Sequence, residues 1–247
     1  HAPEPRVTHP PSAAGFSNRP RTVEPMRFVH LGFAPDLVDY EQGWQTQREV
    51  HAQVVDGSLP DTTRLLEHAA VYTAGKRTQP HERPVDGTPV IDVDRGGKIT
   101  WHGPGQLVGY PIVRLPEVPI DVVAHVRRLE EVMIRVCADH GLDAGRVKGS
   151  SGAWVKGDSG DEKIGAIGVR ISRWVTSHGF AFNVTTDIDF FNLIVPCGIA
   201  DGGVQVAFVR DVGADHQVDL RLALARVLLE DGVDRGGALG ADARDIR

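Results

Sequence analysis

The chain has only two cysteines in 247 residues, Cys137 and Cys197. Two are too few for a disulfide framework at this length, so a reducing compartment is expected, with a cytoplasmic location. No apolar run approaches the length that spans a bilayer. No C-x-x-C or H-x-x-x-H spacing occurs, so no metal site is expected. No G-x4-G-K-[ST] phosphate loop is present, and the most glycine-rich stretch has no G-x-G-x-x-G fingerprint. Positive charge is not in excess either. A net charge of −6 argues against general nucleic-acid or membrane-surface binding.

What is present is ordinary in bulk and unusual in places. Hydrophobic residues at 41% and charged residues at 24% leave room for a sizeable core in one large domain or two small ones. The first 25 residues carry six prolines and no hydrophobic period. They lack the apolar segment of a secretory signal and are expected to form a disordered, dispensable leader. The folded part is expected over 26–230, followed by a flexible tail over 231–247 that is rich in Gly, Asp and Arg.

Between these ends, helical and extended patterns alternate. Gly43–Val55 reads as a helix, with Trp44, Gln47, Val50 and Val54 on one side. Thr63–Thr73 and Pro89–Val93 read as extended. So does Leu107–Leu115, where Pro111 suggests an edge strand or a bulge. Asp121–His140 is the clearest helix, capped by Asp121 and ended by Gly141. Val126, Leu129, Val132, Met133, Val136 and Cys137 share one face, which makes Cys137 a core residue. Gly152–Val155, Lys163–Ile171 and Gly179–Val184 read as strands, and Val218–Glu230 as a last helix. The order predicts an α/β (α+β) fold with a mixed β-sheet flanked by helices.

Two stretches carry chemistry. In Arg95–Pro111, RGGKITWHGPGQLVGYP, five glycines and two prolines surround a few polar groups. Gly96-Gly97 and Gly103-Pro104-Gly105 let backbone amides approach a ligand. Lys98-Ile99-Thr100-Trp101-His102 reads as a short strand whose alternate side chains face a cavity bracketed by Arg95 and His102. A glycine-rich hairpin with Trp101 in the core fits these residues equally well. In IVPCGI, Ile194–Ile199, Cys197 stands between Pro196 and Gly198. A thiol at such a strand end, with free amides nearby, has the parts of acyl transfer, although most free cysteines are packing residues. His102, His178 and Lys163 are the candidate proton acceptors.

The blocks Arg95-Gly96-Gly97, Thr100 and His102-Gly103-Pro104-Gly105-Gln106 resemble the signature of the octanoyltransferases of the lipoate-protein ligase B type. LLEHAAVYTAGKR (Leu65–Arg77), KIGAIGVRI (Lys163–Ile171), HGFAFNV (His178–Val184) and VPCGI (Val195–Ile199) resemble further family blocks, in the same order. The resemblance implies the fold of the biotin/lipoate ligase catalytic domain and no cofactor. It implies transfer of an octanoyl group from octanoyl-acyl carrier protein to a lysine of lipoyl domains, those of 2-oxoacid dehydrogenase complexes and glycine cleavage H protein. The path is a thioester on cysteine. By motif match, Cys197 and Lys163 are the catalytic pair. Arg95, Gly96, Gly97, Lys98, Ile99, Thr100, Trp101 and His102 would bind the acyl chain, with Ala166, Ile167 and Gly168 and with Gly179, Phe180 and Ala181. The Arg127-Arg128 pair is a candidate docking patch for the acidic carrier. The part after Ile199 departs from the family pattern. Octanoyl transfer between lipoyl domains, an ATP-dependent lipoate or biotin ligase, and a non-enzymatic lipoyl-domain binder are the other readings. The Cys197/Lys163 pair separates the transferases from the last two.

Overall fold

The computed structural model describes residues 25–85, 87–115, 121–157 and 160–194. Ten strands and two α-helices make up most of them. In chain order they are β1 Arg27–Gly32, α1 Tyr40–Asp56, β2 Thr62–Leu66, β3 Val71–Ala74, β4 Val90–Asp92, β5 Thr100–His102 and β6 Gln106–Ile112. Then follow α2 Val122–Asp139, β7 Ala144–Val147, β8 Ser150–Gly157, β9 Gly160–Ser172 and β10 Val175–Asn183. A 3-10 helix, Ile188–Leu193, follows β10. None of the described helices is long and apolar enough to cross a membrane.

Seven strands form one sheet in the order β1-β2-β6-β10-β9-β8-β7. Only β1 and β2 run parallel, so the sheet is mixed as expected. β4, β3 and β5 form a second, three-stranded sheet. The segment Thr63–Thr73 therefore supplies a strand to each sheet rather than one continuous strand. Its polar middle, Glu67-His68, makes the crossing between them.

α2 follows its sequence pattern closely. Asp121 Oδ1 accepts from the Ala124 amide at 2.8 Å, and Gly141 follows the helix with φ 76°. Leu129, Val132, Met133, Val136 and Cys137 are buried against Leu107, Ile164, Phe180 and Phe182 of the large sheet. Each large aliphatic side chain taken fully out of water there contributes about 1.5–3 kcal/mol. α1 covers the opposite face, where Val54 packs on Ile112 and Val175.

Pro111 corrects the expectation of an edge strand or bulge. It lies inside β6, between β2 and β10. The β6–β10 ladder runs from Asn183↔Gln106 to Phe180↔Gly109 and resumes in the same register at the Arg114↔Val175 bridge. Between these points the chain opposite Pro111 turns aside. His178 takes φ 56°, and its amide donates to Gln47 Oε1 of α1 at 2.8 Å. Thr176 Oγ1 donates to the Pro111 carbonyl at 2.7 Å. A central strand tolerates proline here because the partner strand does not need the missing N–H. The leader, the expected helix Val218–Glu230, the tail and Cys197 lie outside the described residues.

Candidate active site

The two sheets face each other across a cavity of about 240 Å³. Val108 and Tyr110 of β6, Ala166–Gly168 of β9 and His178–Ala181 of β10 form one wall. Arg95, Gly97, Lys98, Thr100 and His102 form the other, Tyr40 of α1 stands at one side, and Gly149–Ser151, where the β7–β8 turn enters β8, at another. The cavity is smaller than a typical drug-sized site of roughly 300–1,000 Å³ and suits a thin chain.

The alternation read from the sequence places Lys98, Thr100 and His102 on the cavity. Ile99 and Trp101 point the other way. They are 0% and 1% exposed in a cluster with Tyr72, Phe191 and Ile194. So of the expected acyl-binding segment, Ile99 and Trp101 are core residues and not cavity wall. Gly96 is also absent from the wall, and its amide donates to the Val169 carbonyl at 3.0 Å. The glycine-rich hairpin and the ligand-facing strand are one object seen from its two faces.

Arg95 is an internal brace. Nη1 donates to the carbonyls of Gly96 (3.0 Å) and Lys98 (2.9 Å), and Nη2 to Thr73 O (3.0 Å) and Thr73 Oγ1 (2.9 Å). The planar guanidinium thereby fixes the loop before β5 to β3. Two glycines make space for it. A Cβ at Gly75 would lie 2.6 Å from Nη1, and one at Gly168 would lie 2.9 Å from Cδ. Lys98 is paired with the buried carboxylate of Glu82.

Lys163 is 6% exposed yet lines the cavity, with Nζ 4.6 Å from the centre of the Trp154 ring. Beside it, the turn bearing Gly149–Ser151 is tied to α2 by Glu130, which is fully buried. Its Oε2 accepts from Arg127 Nη1 at 2.6 Å and Arg146 Nε at 2.9 Å, and its Oε1 from the Gly152 amide at 3.1 Å. Arg127 is thus engaged in an internal ion pair, which weakens the expected Arg127-Arg128 docking patch.

Two histidines reach the cavity with different partners. His178 Nε2 lies 2.8 Å from Asp94 Oδ1, and Asp94 is also paired with Arg170. The hydrogen bond from His178 holds the Asp94 carboxyl below its ordinary range, while burial depresses His178. His102 Nδ1 lies 2.6 Å from Gln106 Oε1. Gln106 Nε2 donates to Trp101 O at 3.2 Å and to Asn183 Oδ1 at 2.9 Å, which fixes Oε1 as the acceptor. Burial, aided by the Arg95 cation, pushes His102 down to about 3, so its ring is neutral.

A second chain runs through His68, which the sequence reading did not single out. His68 Nδ1 donates to the Val38 carbonyl at 3.0 Å, and Nε2 meets Tyr110 Oη at 2.7 Å. Burial lowers His68 to about 4 and raises Tyr110 well above 10. Tyr40 stacks on His102, with ring centres 5.9 Å apart and planes at 12°. Tyr40, Tyr110, Asp94 and the Gly149–Ser151 turn were not expected in the site. Tyr40 and the Gly149–Ser151 segment come from parts of the chain that no motif marks, whereas Asp94 directly precedes the Arg95–Pro111 stretch and Tyr110 lies within it. Gln106 alone stood within the quoted HGPGQ motif. Among the described residues, no group of three or more His, Cys, Asp or Glu side chains has the arrangement of a metal site.

A family model, the lipoyl protein ligase A/B catalytic domain, matches residues 39–219. The chain is 49% identical to an octanoyltransferase of Streptomyces coelicolor, over 83% of this chain and 92% of that protein. It is 64% identical to an octanoyltransferase of Mycolicibacterium paratuberculosis, over 68% of this chain and 72% of the relative. Among solved structures, the fold is similar to a bipartite lipoate protein ligase of Thermoplasma acidophilum. The TM-score is 0.60 at 20% identity, over 83% of each chain. It is also similar to a lipoate-protein ligase A bound with ATP, with TM-score 0.56 at 16% identity over 84% of this chain and 85% of that one.

Proposed function

From the premise that the chain belongs to the lipoyl protein ligase A/B catalytic domain family, we infer that it is an acyltransferase that moves octanoyl groups onto lipoyl domains. The donor is octanoyl-acyl carrier protein, and the acyl group passes through a thioester on Cys197. The observation that carries the reading is Lys163, a buried lysine that opens onto a narrow cavity between two sheets. The relatives at 49% and 64% identity support octanoyl as the group transferred.

The chemistry follows from these groups. The Cys197 sulfur attacks the donor carbonyl, and the carrier's thiol leaves. Lys163 takes the proton from Cys197 and returns it to the departing sulfur. A lysine amine of the lipoyl domain then attacks the acyl carbon, the bond to Cys197 breaks, and the surplus amine proton returns to the cysteine sulfur through Lys163. The donor thioester is already activated, so the scheme requires no ATP, metal or nicotinamide. A cavity of about 240 Å³ suits the alkyl chain.

The test is turnover with octanoyl-acyl carrier protein and an apo lipoyl domain, read by intact mass. Lys163→Ala should load slowly and deliver the acyl group even more slowly. A lipoyl domain that gains its acyl group only when ATP and free octanoate are supplied overturns the reading in favour of a ligase.

A further inference from the structure

The hydrogen-bond chains behind the cavity fix which polar atoms of two lining residues are left as acceptors. Val38 O can only accept, so His68 Nδ1 carries the proton at that contact. The neutral ring then presents a lone pair at Nε2, and Tyr110 must donate its hydroxyl hydrogen to it. Tyr110 Oη is left with lone pairs only. By the same logic, Gln106 Oε1 accepts from His102 Nδ1–H, which leaves His102 Nε2 as a lone pair on a neutral ring. Both residues line the cavity. Their donor hydrogens are already spent on the protein interior.

We propose that Tyr110 Oη and His102 Nε2 form the subsite that receives the attacking primary amine, in its neutral form, by accepting its two N–H bonds. This rests on the transfer reading given above. A neutral amine has two N–H bonds and one lone pair. Two fixed acceptors take the hydrogens and leave the lone pair free for the acyl carbon. Arg95 lines the same cavity, and its fixed cation disfavours a second one there, so an entering ammonium is driven towards the neutral amine. The new bond joins amine nitrogen to acyl carbon, the carbon–sulfur bond breaks, and the surplus proton goes to sulfur by way of Lys163. His102 is too weak a base to keep it. Acceptors give a carrier-bound thioester no comparable grip, because its reacting carbonyl has no hydrogen to donate.

The subsite therefore acts on the second half of the reaction alone. The experiment uses octanoyl-enzyme isolated from wild type, Tyr110→Phe and His102→Phe. Three rates are measured for each: loading from octanoyl-acyl carrier protein, return of the octanoyl group from loaded enzyme to the thiol of holo-acyl carrier protein, and single-turnover delivery to a saturating lipoyl domain. Delivery should fall by about tenfold to a hundredfold per lost hydrogen bond beyond any change in the two thiol-exchange rates, because a thiol has no pair of N–H bonds to offer the subsite. Equal losses in all three rates, the mark of a merely structural role, overturn the proposal. So does unchanged delivery. A wild-type enzyme that takes up no octanoyl group refutes the transfer reading itself, and the subsite with it. A loaded wild type with unaffected variants refutes the subsite alone.

Discussion

Mild acid should destabilise this protein through its buried histidines before its carboxylates titrate. His68 and His102 are neutral in the fold, with values lowered from 6.5 to about 4 and about 3 by burial. The unfolded chain takes up protons near 6.5, so below that pH it binds more protons than the native state. Stability then falls as pH falls, from about 6.5 down to the folded values. Between pH 7.5 and 5.0 each of these histidines costs about 2 kcal/mol, and the pair about 4 kcal/mol. His178, also lowered by burial, adds in the same direction. Asp94 and Glu82 are held below their ordinary range, so their contribution is present above the unfolded value and lost only at lower pH. Urea unfolding, followed by tryptophan fluorescence at the two pH values, measures the loss. His68→Gln keeps a donor for Val38 O and an acceptor for Tyr110, but does not titrate. Its pH-dependent loss should be smaller than wild type by about 2 kcal/mol, whatever its stability at pH 7.5. An equal loss in wild type and variant would refute the assignment of a neutral, buried His68.

Arg95→Lys should cost about 3 kcal/mol, because an ammonium cannot reproduce four hydrogen bonds spread over two nitrogens, and thermal unfolding reads the loss. Glu130→Ala should lower stability by about 3 kcal/mol, since it strips Arg127, Arg146 and the Gly152 amide of their shared acceptor. The variant's kcat should also fall, because the turn beside Lys163 loses its anchor; an unchanged kcat would separate that turn from the chemistry. Cys137 is 0% exposed, and burial pushes its thiol up to about 12. It should resist iodoacetamide in the folded protein and react in urea, and labelling without denaturant would contradict its placement in the core.

The parts of the fold that were legible in the sequence are those written in local periodicity. α2 was readable because its apolar face recurs at helical spacing and Asp121 and Gly141 mark its ends. The alternation of Lys98, Thr100 and His102 was equally local. The assignment of strands to sheets was not. Thr63–Thr73 reads as one extended segment, and only long-range pairing divides it between two sheets. Pro111 was misjudged because the rule against proline in central strands assumes a partner that needs its N–H, and the His178 backbone opposite bonds to α1 instead. The candidate site shows the same limit. The Arg95–His102 motif marks where the cavity lies, but Ile99 and Trp101 turn away from it. Tyr40 reaches it from a segment with no motif of its own, and His68 and Tyr110 stand within motif-bearing stretches whose patterns do not mark them as site residues. Lys163 and His102 line the cavity, and Cys197 lies outside the described residues.

The most direct test of acyl transfer through cysteine is the intact mass of the protein after incubation with octanoyl-acyl carrier protein alone, in wild type and in Cys197→Ala. Wild type should gain one octanoyl group that hydroxylamine removes, and adding an apo lipoyl domain should move that group onto the domain. Cys197→Ala should gain none. A hydroxylamine-sensitive octanoyl group on Cys197→Ala, or turnover by that variant at the wild-type rate, would contradict the account.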